Sequence, residues 1–321
     1  MTIKNIVIIG DGHLSFTILD ALLSPSNTNR VSQYNIFVVT YPSQRPWLPQ
    51  LAASDTVGHR ISDFSSDSLK VVLTGADLAI STISGGSFDF QVRLIDAAVA
   101  AGVSRFIPCE FANDTLNVPV QRRIPRYVER AKVIDHLRTV SQSNVHLEWV
   151  AIAVGVIIDE ALLDGFLGFD FEWQSANIPG NGIDEFPVTS SQRVGLVVRR
   201  VIELWDQVKN QFLYTAGTLT CAETIKGILE KTMGTTWALS YSDSEDCVRE
   251  GKRRIEMGLT DSGMVLFERS ILYDHRLSAS DSFRSRNANQ TLGLDSEDLD
   301  TVILQTYRQH RSRARPGCGC D

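Results

Sequence analysis

A glycine-rich turn directly after the first apolar segment is the feature that most constrains the fold of this chain. Residues 5–9 read NIVII, which predicts a buried strand, and residues 10–15 read GDGHLS ahead of an apolar helix. In such a strand–turn–helix the first glycine makes a tight turn, the second lets a pyrophosphate approach the backbone, and a third small residue packs the helix on the strand. Gly10, Gly12 and Ser15 occupy these positions. The turn predicts a dinucleotide site where the helix begins; a glycine turn without a ligand is the alternative.

Short apolar segments alternate with helical patterns through the first half of the chain. This alternation predicts a doubly wound α/β domain, in which helices cover both faces of a parallel sheet. The domain is expected over 1–155, with 188–215 returning to it. A smaller, mixed and mostly helical substrate lobe is expected over 156–321, with a disordered tail at 309–321. The predicted strands are 5–9, 35–40, 78–82, 105–108, 146–151, 211–215 and 237–241, and the predicted helices are 14–23, 88–101, 126–140, 191–205, 220–232, 244–257 and 296–308.

The end of the second predicted strand bears on the choice of cofactor. In this type of fold an acidic residue there binds the ribose 2′-hydroxyl of NAD, but residues 38–45 read VVTYPSQR and contain no acid. Ser43 and Arg45 could instead donate hydrogen bonds to a 2′-phosphate, and a guanidinium suits phosphate best. The segment therefore predicts NADPH; the alternative is that Arg45 lies in a solvated loop.

Composition argues against several classes of function. The 321 residues carry a formal net charge of −7, which disfavours binding to nucleic acid over a broad surface. A membrane-spanning helix needs about 18 consecutive apolar residues, and no segment approaches that length. The N-terminus lacks the pattern of a secretory signal peptide. Five scattered cysteines suit a reducing compartment, so a cytoplasmic protein is expected. Cys318 and Cys320 lack further ligands nearby, so no metal site is predicted.

Residues 102–114, GVSRFIPCEFAND, carry the most specific motif of the chain. They resemble the "GVKRFxPSEFGND" strand and loop of the NmrA-like, isoflavone-reductase-like group of atypical short-chain dehydrogenases. Supporting matches are residues 80–83, the loop 178–182 before 186–190, and the helix 220–231. The resemblance implies an NADPH-binding Rossmann domain, a C-terminal lobe that defines the substrate pocket, and hydride delivery to a conjugated small molecule, as in fungal secondary-metabolite reductases.

Reductases of this group carry a lysine on the helix after that loop, as proton donor or to orient the cofactor. Aligning the apolar positions of that helix on Val133 and Leu137 places Arg130 where the lysine is expected, with Lys132 two residues further on. Arginine stays protonated and is a poor acid or base, whereas a desolvated lysine can transfer protons. Two residues span about 200° of a helix, so the two side chains cannot share one role. Lys132 is preferred on chemical grounds, and Arg130 remains the alternative.

The remaining site predictions follow from the strand ends and the resemblance. Tyr127 is followed at i+4 by Ala131, so the ordinary Tyr-x-x-x-Lys dyad is absent and Tyr127 is expected to be a pocket or core aromatic. Glu110 and Asp114 are expected to fix their loop. The substrate pocket is expected to include Tyr127, Ile157, Phe166 and Phe186. The predicted cofactor contacts are Gly10, Gly12, His13, Leu14, Ser15, Thr40, Tyr41, Ser43, Arg45, Ser81, Thr82, Ile83, Cys109, Glu110, Phe111, Gly155 and Val156.

Positive charge is concentrated in one segment. Residues 121–140 carry six basic and two acidic groups, a net charge of +4, although the whole chain is acidic. An acidic protein can bind an anionic dinucleotide where its positive groups are concentrated, so this segment is expected beside the cofactor. The sequence thus predicts an NADPH-dependent reductase of a small apolar metabolite. The alternative is a dinucleotide-binding redox sensor of the NmrA type without turnover; the sequence also allows a homodimer.

Overall fold

A seven-stranded parallel sheet forms the centre of the first domain. The fold is described from a computed structural model over residues 3–24, 34–42, 57–143 and 146–313. The strands are β1 (Asn5–Ile9), β2 (Asn35–Thr40), β3 (Val57–Ile61), β4 (Leu78–Ser81), β5 (Arg105–Ile107), β6 (Glu148–Ala153), β7 (Val156–Ile157), β8 (Phe169–Asp170), β9 (Ser175–Pro179), β10 (Phe186–Thr189), β11 (Gln211–Tyr214), β12 (Thr218–Thr220) and β13 (Ala238–Ser242). The sheet has the order β11-β6-β5-β4-β1-β2-β3, and every neighbouring pair is parallel.

Helices cover both faces of this sheet, which confirms the predicted doubly wound α/β fold. Alternate side chains of β1 show the two layers. Ile6 and Ile8 pack in the core beneath the helices His13–Leu23 and Ser191–Glu203, whereas Val7 and Ile9 pack in the core beneath the helices Ser66–Leu73, Phe88–Ala100 and Pro125–Gln142. The helices are α1 (His13–Leu23), α2 (Ser66–Leu73), α3 (Phe88–Ala100), α4 (Val118–Arg123), α5 (Pro125–Gln142), α6 (Ile158–Leu163), α7 (Ser191–Glu203), α8 (Trp205–Val208), α9 (Ala222–Met233), α10 (Ser244–Glu256), α11 (Thr260–Leu272), α12 (Asp281–Ser285), α13 (Asn289–Leu292) and α14 (Leu299–Arg313).

The second half of the chain builds a lobe at the carboxyl ends of the strands. It contains two three-stranded sheets, β12-β10-β7 and β13-β9-β8, together with α9 to α11 and α14. Helices α10 and α11 form a close hairpin at Gly251 and Gly263, because a Cβ on either glycine would press on the backbone of the other. Helix α7 packs against α1, and β11 joins the large sheet beside β6, so this part of the chain returns to the first domain.

The C-terminal helix extends further than the sequence suggests. Helix α14 continues to Arg313, so residues 309–313 are helical where disorder was expected. The helix is held by Ile303 and Thr306, which are buried, and by His310, whose ring stacks on Phe171 with centroids 4.9 Å apart. Within the described ranges no helix is long and apolar enough to cross a membrane.

Candidate functional site

The two glycines of the first turn have different roles. Gly10 has φ +115°, and a Cβ there would lie 2.5 Å from Thr82 Oγ1, so the fold itself requires glycine. Gly12 caps α1 at φ −74° and ψ −178°, a conformation open to any residue, and a Cβ there would have no atom within 4 Å. The second glycine therefore leaves free space over the start of α1.

Ser15 packs α1 on the sheet through a hydrogen bond. Its side chain is buried, and its Oγ lies 2.6 Å from Thr82 Oγ1. Thr82 donates its single hydroxyl hydrogen to the Ile9 carbonyl at 2.9 Å, so Ser15 must be the donor to Thr82. The serine thus keeps the third position small while linking α1 to the ends of β1 and β4.

The first turn of α1 offers backbone amides to an anion. Gly12 provides no side-chain cap for the helix, and the first amides of any helix lack an intrahelical acceptor. Leu14 is half-buried beside this turn, and the exposed His13 pairs through Nδ1 with Glu160 of α6, which joins the turn to the lobe. The open Gly12 position and the uncapped amides fit a pyrophosphate group.

The end of β2 presents an aromatic face. Tyr41 is 40% exposed and stacks on Phe64, with ring centroids 4.2 Å apart. Thr40 is buried, and its hydroxyl lies 2.7 Å from His59 Nε2. Its side chain is therefore hydrogen-bonded to the edge strand β3. The predicted contacts Ser43 and Arg45 lie outside the described residues.

Glu110 is the centre of the loop after β5. One carboxylate oxygen accepts a hydrogen bond from Thr115 Oγ1 at 2.6 Å, and the other accepts one from Arg130 Nε at 3.0 Å. Arg130 also donates to the Cys109 carbonyl at 2.7 Å. Asp114 accepts the Tyr214 hydroxyl at 3.0 Å. These contacts give Glu110 and Asp114 the loop-fixing role that the resemblance implied.

Arg130, and not Lys132, faces the cleft beside this loop. Burial by itself would lower the pKa of Arg130, but Glu110 raises it, so the guanidinium remains charged. Lys132 points to the other side of α5, is exposed, and pairs with Glu129 at 2.8 Å. The structure contradicts the preference for Lys132: helix geometry turns it away because Val133 and Leu137 fix the buried side of α5.

The cleft itself is narrow. It encloses about 30 Å³ between the loop after β4, the loop after β5 and α5. Arg126 is exposed at its edge and donates to the Ser84 carbonyl at 2.7 Å. Burial raises the pKa of the Cys109 thiol to about 12, so Cys109 stays a protonated thiol at neutral pH. The lining residues are Ser84, Gly86, Ser87, Phe88, Gln91, Pro108, Cys109, Glu110, Arg126, Glu129, Arg130 and Val133.

Several predicted cofactor contacts lie at the ends of the central strands and in the loops that follow them. Ser81 and Phe111 are buried in the sheet layers, and Ile83 follows Thr82 in the loop after β4. Gly155 has φ +73°, and a Cβ there would overlap the Pro187 carbonyl, so only glycine fits after β6. Val156 is buried where β7 pairs with β10.

Two of the four predicted pocket residues belong to the core of the lobe. Tyr127 and Phe186 are each 1% exposed, and Phe186 packs edge-on against Tyr273 with centroids 5.4 Å apart. The predicted place of Phe186 on a pocket wall is therefore wrong, and Tyr127 takes the core position of the two expected for it, because the lobe uses these rings to fill its own interior. Phe166 and Ile157 are half-buried and pack at the margins of the two cores.

The basic segment 121–140 is largely neutralised by its own contacts. Arg123 pairs with Asp274 at 2.8 Å and with Glu245 at 2.6 Å, and Arg138 pairs with Asp135 at 2.8 Å. Among the described residues no carboxylate lies within ion-pair distance of Arg126. Arg126 thus adds to the cleft edge a cation that no carboxylate of the described residues pairs with.

Helix α11 was not predicted from the sequence, and it carries Glu268. Burial raises the pKa of its half-buried carboxyl, while Arg130 and Arg126 act in the opposite direction. In the described part of the chain it has no hydrogen-bond or ion-pair partner. The apolar spacing of Met264, Phe267 and Ile271 was the available signal for this helix.

The architecture is that of a Rossmann domain with a C-terminal lobe over the carboxyl ends of its strands. The chain belongs to the NmrA-like family, whose model matches residues 4–260. This finding confirms the family resemblance drawn from residues 102–114.

Relatives of known sequence include two fungal oxidoreductases. Oxidoreductase aprR of Aspergillus flavus is 30% identical over 311 residues, which cover 96% of this chain and 100% of that protein. Oxidoreductase poxI of Penicillium oxalicum is 26% identical over 253 residues, or 77% of this chain and 79% of that protein. Among solved structures, the binary complex of leucoanthocyanidin reductase and NADPH from Vitis vinifera matches with a TM-score of 0.77 at 16% identity, covering 94% and 99% of the two chains. The similarity to leucoanthocyanidin reductase shows that the two chains share a fold.

Proposed function

We propose that this chain is an NADPH-dependent reductase that transfers hydride to a small apolar metabolite with a conjugated, carbonyl or imine group. The open start of α1 at Gly12 carries the proposal, because it combines free space, uncapped amides and the favourable end of a helix dipole. The names of the fungal relatives support an oxidoreductase. A role in secondary metabolism, in the cytoplasm, is part of the same proposal; the free Cys109, Cys221 and Cys247 suit a reducing compartment.

Phosphate recognition favours NADPH over NADH. Residues 38–42 contain no acid that would bind a ribose 2′-hydroxyl or repel a 2′-phosphate. Tyr41, stacked on Phe64, offers an aromatic surface for the adenine end. Arg45 is our candidate for the 2′-phosphate contact, from sequence alone. The complex of NADPH with a structurally similar reductase supports the same cofactor.

The residues around the cleft would position the reactants. The bound cofactor would supply the hydride. Arg130 holds the loop after β5 through Glu110 and the Cys109 carbonyl, and it contributes a fixed positive charge. Arg126 adds a second cation at the cleft edge. Positive charge so placed stabilises the negative charge that develops on an oxygen or nitrogen during reduction.

The ion pair of Arg130 also favours a second candidate function. An arginine fixed by Glu110 is a poor proton donor, and proton donation is one of the two roles that the resemblance implies for the lysine, the other being to orient the cofactor. A dinucleotide sensor that binds NADPH or NADP⁺ without turnover would need no such donor. Binding is common to both functions, and turnover distinguishes them.

The test has two stages. Purified wild type and Arg45→Ala are each titrated with NADPH and with NADH, and binding is followed by fluorescence. We expect wild type to bind NADPH more tightly than NADH. We expect Arg45→Ala to raise the dissociation constant of NADPH more than tenfold, which is about 1.4 kcal/mol. NADPH consumption is then followed with enones, imines, quinones and aryl ethers. Consumption with one class supports the reductase, binding without consumption supports the sensor, and no binding at high micromolar NADPH contradicts both.

A further inference from the structure

Side-chain donors hold three successive carbonyls of the loop after β4. Gln91 of α3 donates through Nε2 to the Ile83 carbonyl at 2.9 Å and to the Gly85 carbonyl at 2.8 Å. Arg126 of α5 donates to the Ser84 carbonyl between them at 2.7 Å. Because carbonyl oxygens only accept hydrogen bonds, the NH₂ end of the Gln91 amide must face the loop. Both hydrogens of that group are thereby used.

These contacts fix the direction of two backbone amides. In a trans peptide the carbonyl of one residue and the N–H of the next point in opposite directions, and the described part of the chain contains no cis peptide. The N–H groups of Ser84 and Gly86 therefore point away from Gln91. Over the described ranges neither N–H donates to a protein acceptor. The loop thus keeps two donors on the side opposite Gln91.

The same loop extends from the glycine turn to the cleft. A Cβ on Gly10 would lie 2.5 Å from Thr82 Oγ1 and 3.2 Å from Ile83 Cγ1, so the start of the loop is in contact with the turn. Further along, Ser84 and Gly86 line the cleft beside α5. The two amides are therefore placed between the proposed pyrophosphate position and the cleft.

We propose that Gln91 is a positioning residue of the cofactor site, which directs the amides of Ser84 and Gly86 toward acceptor oxygens of bound NADPH. This inference rests on the proposed NADPH binding. Gln91 acts through the loop backbone, and it sets the direction of both donors before the ligand arrives. Donors that are already oriented lose little conformational entropy on binding. Without Gln91 the paired glycines Gly85 and Gly86 would let the two amides rotate.

The ends of the loop are anchored independently of Gln91. Thr82 donates its hydroxyl to the Ile9 carbonyl at 2.9 Å and is also hydrogen-bonded to Ser15. At the other end Ser87 caps α3, because its Oγ accepts the Phe90 amide. Removing the Gln91 donors should therefore free the middle of the loop while the strand and the helix stay in place.

The experiment compares Gln91→Met with wild type. Methionine keeps the length of the side chain and removes both donors. Gln211→Met is the matched control, because Gln211 is exposed on the edge strand β11 and donates to the Gln207 carbonyl at 3.2 Å. We expect Gln91→Met to raise the dissociation constant of NADPH about tenfold or more, measured by fluorescence titration. Gln211→Met should bind NADPH as wild type does.

Nuclear magnetic resonance separates positioning from a purely structural role. In ¹⁵N-labelled wild type, saturating NADPH should shift the amide resonances of Ser84, Gly86 and Gly12. In saturated Gln91→Met the Gly12 resonance should shift as in wild type, whereas those of Ser84 and Gly86 should shift much less. Gln91→Glu has the same shape without the donors, and it replaces Gln91→Met if that variant does not fold.

Two results overturn the role of Gln91 alone. One is wild-type NADPH affinity in Gln91→Met. The other is weakened binding in which the Ser84 and Gly86 resonances still shift fully at saturation, because the amides would then be directed without Gln91. A wild-type protein that binds no NADPH overturns this role together with the proposed function.

Discussion

The two turn glycines separate folding from binding at the scale of single residues. Gly10 is required by its positive φ and by the nearness of Thr82, whereas Gly12 has an ordinary backbone and open surroundings. The motif in the sequence predicted both glycines but could not distinguish their roles. The distinction depends on Thr82, 72 residues away in the sequence from Gly10, and so on the pairing of β1 with β4.

Gly12→Ala is expected to leave the free energy of unfolding within about 0.5 kcal/mol of wild type, because the added methyl group meets open space. The same methyl group should weaken NADPH binding more than tenfold by occupying the pyrophosphate position. Thermal unfolding and fluorescence titration measure the two effects. Gly10→Ala is the matched control, and its backbone strain should destabilise the fold by about 1–3 kcal/mol. Wild-type NADPH affinity in Gly12→Ala would contradict the site.

Arg130→Met is expected to lower the free energy of unfolding by about 3–5 kcal/mol, because it leaves the buried Glu110 carboxylate without its partner. Lys132→Ala is the control on the same helix, and loss of its exposed pair with Glu129 should cost at most about 1 kcal/mol. Denaturant unfolding compares the two variants. Equal losses would show that the Arg130–Glu110 pair does not hold the loop.

The elements that contact solvent or the lobe were the hardest to predict. Strands β1 and β2 match their predicted bounds because their apolar runs are buried within the sheet. Strand β3, which reads VGHRI, is an edge strand with polar residues and escaped prediction, as did α2 and α11. Because α11 was not predicted, Glu268 was not considered. The choice between Arg130 and Lys132 could not be made from the sequence, because both lie on α5 and the contact that distinguishes them is with Glu110, 20 residues before Arg130.

A charged network joins α4 to the segment after α11. Asp274 is buried and its pKa is lowered to about 2, first by hydrogen bonds from Arg276 and further by Arg123. A lowered pKa means that this stabilisation is complete above the ordinary value of 3.8 and is lost as the pH falls through about 2. The network is therefore intact at neutral pH.

Asp274→Asn is expected to lower the free energy of unfolding at neutral pH by about 1–2 kcal/mol, since it removes a charge-assisted set of hydrogen bonds. The difference from wild type should shrink as the pH falls toward about 2. Asp135→Asn removes the exposed pair with Arg138 and should cost about 0.5 kcal/mol or less. Urea unfolding across a pH series tests this; a loss for Asp274→Asn that is independent of pH would contradict the ionic role.

At the scale of the whole molecule, the sequence predicted the α/β architecture and the family, because both depend on local periodicity and one specific motif. The lobe was predicted only as a mixed unit. Its walls are assembled from distant segments. Phe186 belongs to its core instead of its pocket, and Tyr127, for which both places were expected, also lies in the core. Apolar side chains in an irregular lobe can serve either purpose, and only their packing partners decide which.

Ligand binding should stabilise the whole molecule. NADPH at about 100 times its dissociation constant is expected to raise the free energy of unfolding by about 2.7 kcal/mol, because it binds the folded chain alone. The same concentration of NADH should give a smaller increase. Differential scanning fluorimetry with each nucleotide measures this, and Gly12→Ala should show little response to either.

Calorimetric titration of the wild-type chain with NADPH and with NADH tests the central claim most directly. The account predicts one NADPH bound per chain, more tightly than NADH, at the open start of α1. Absence of NADPH binding at high micromolar concentration would contradict it.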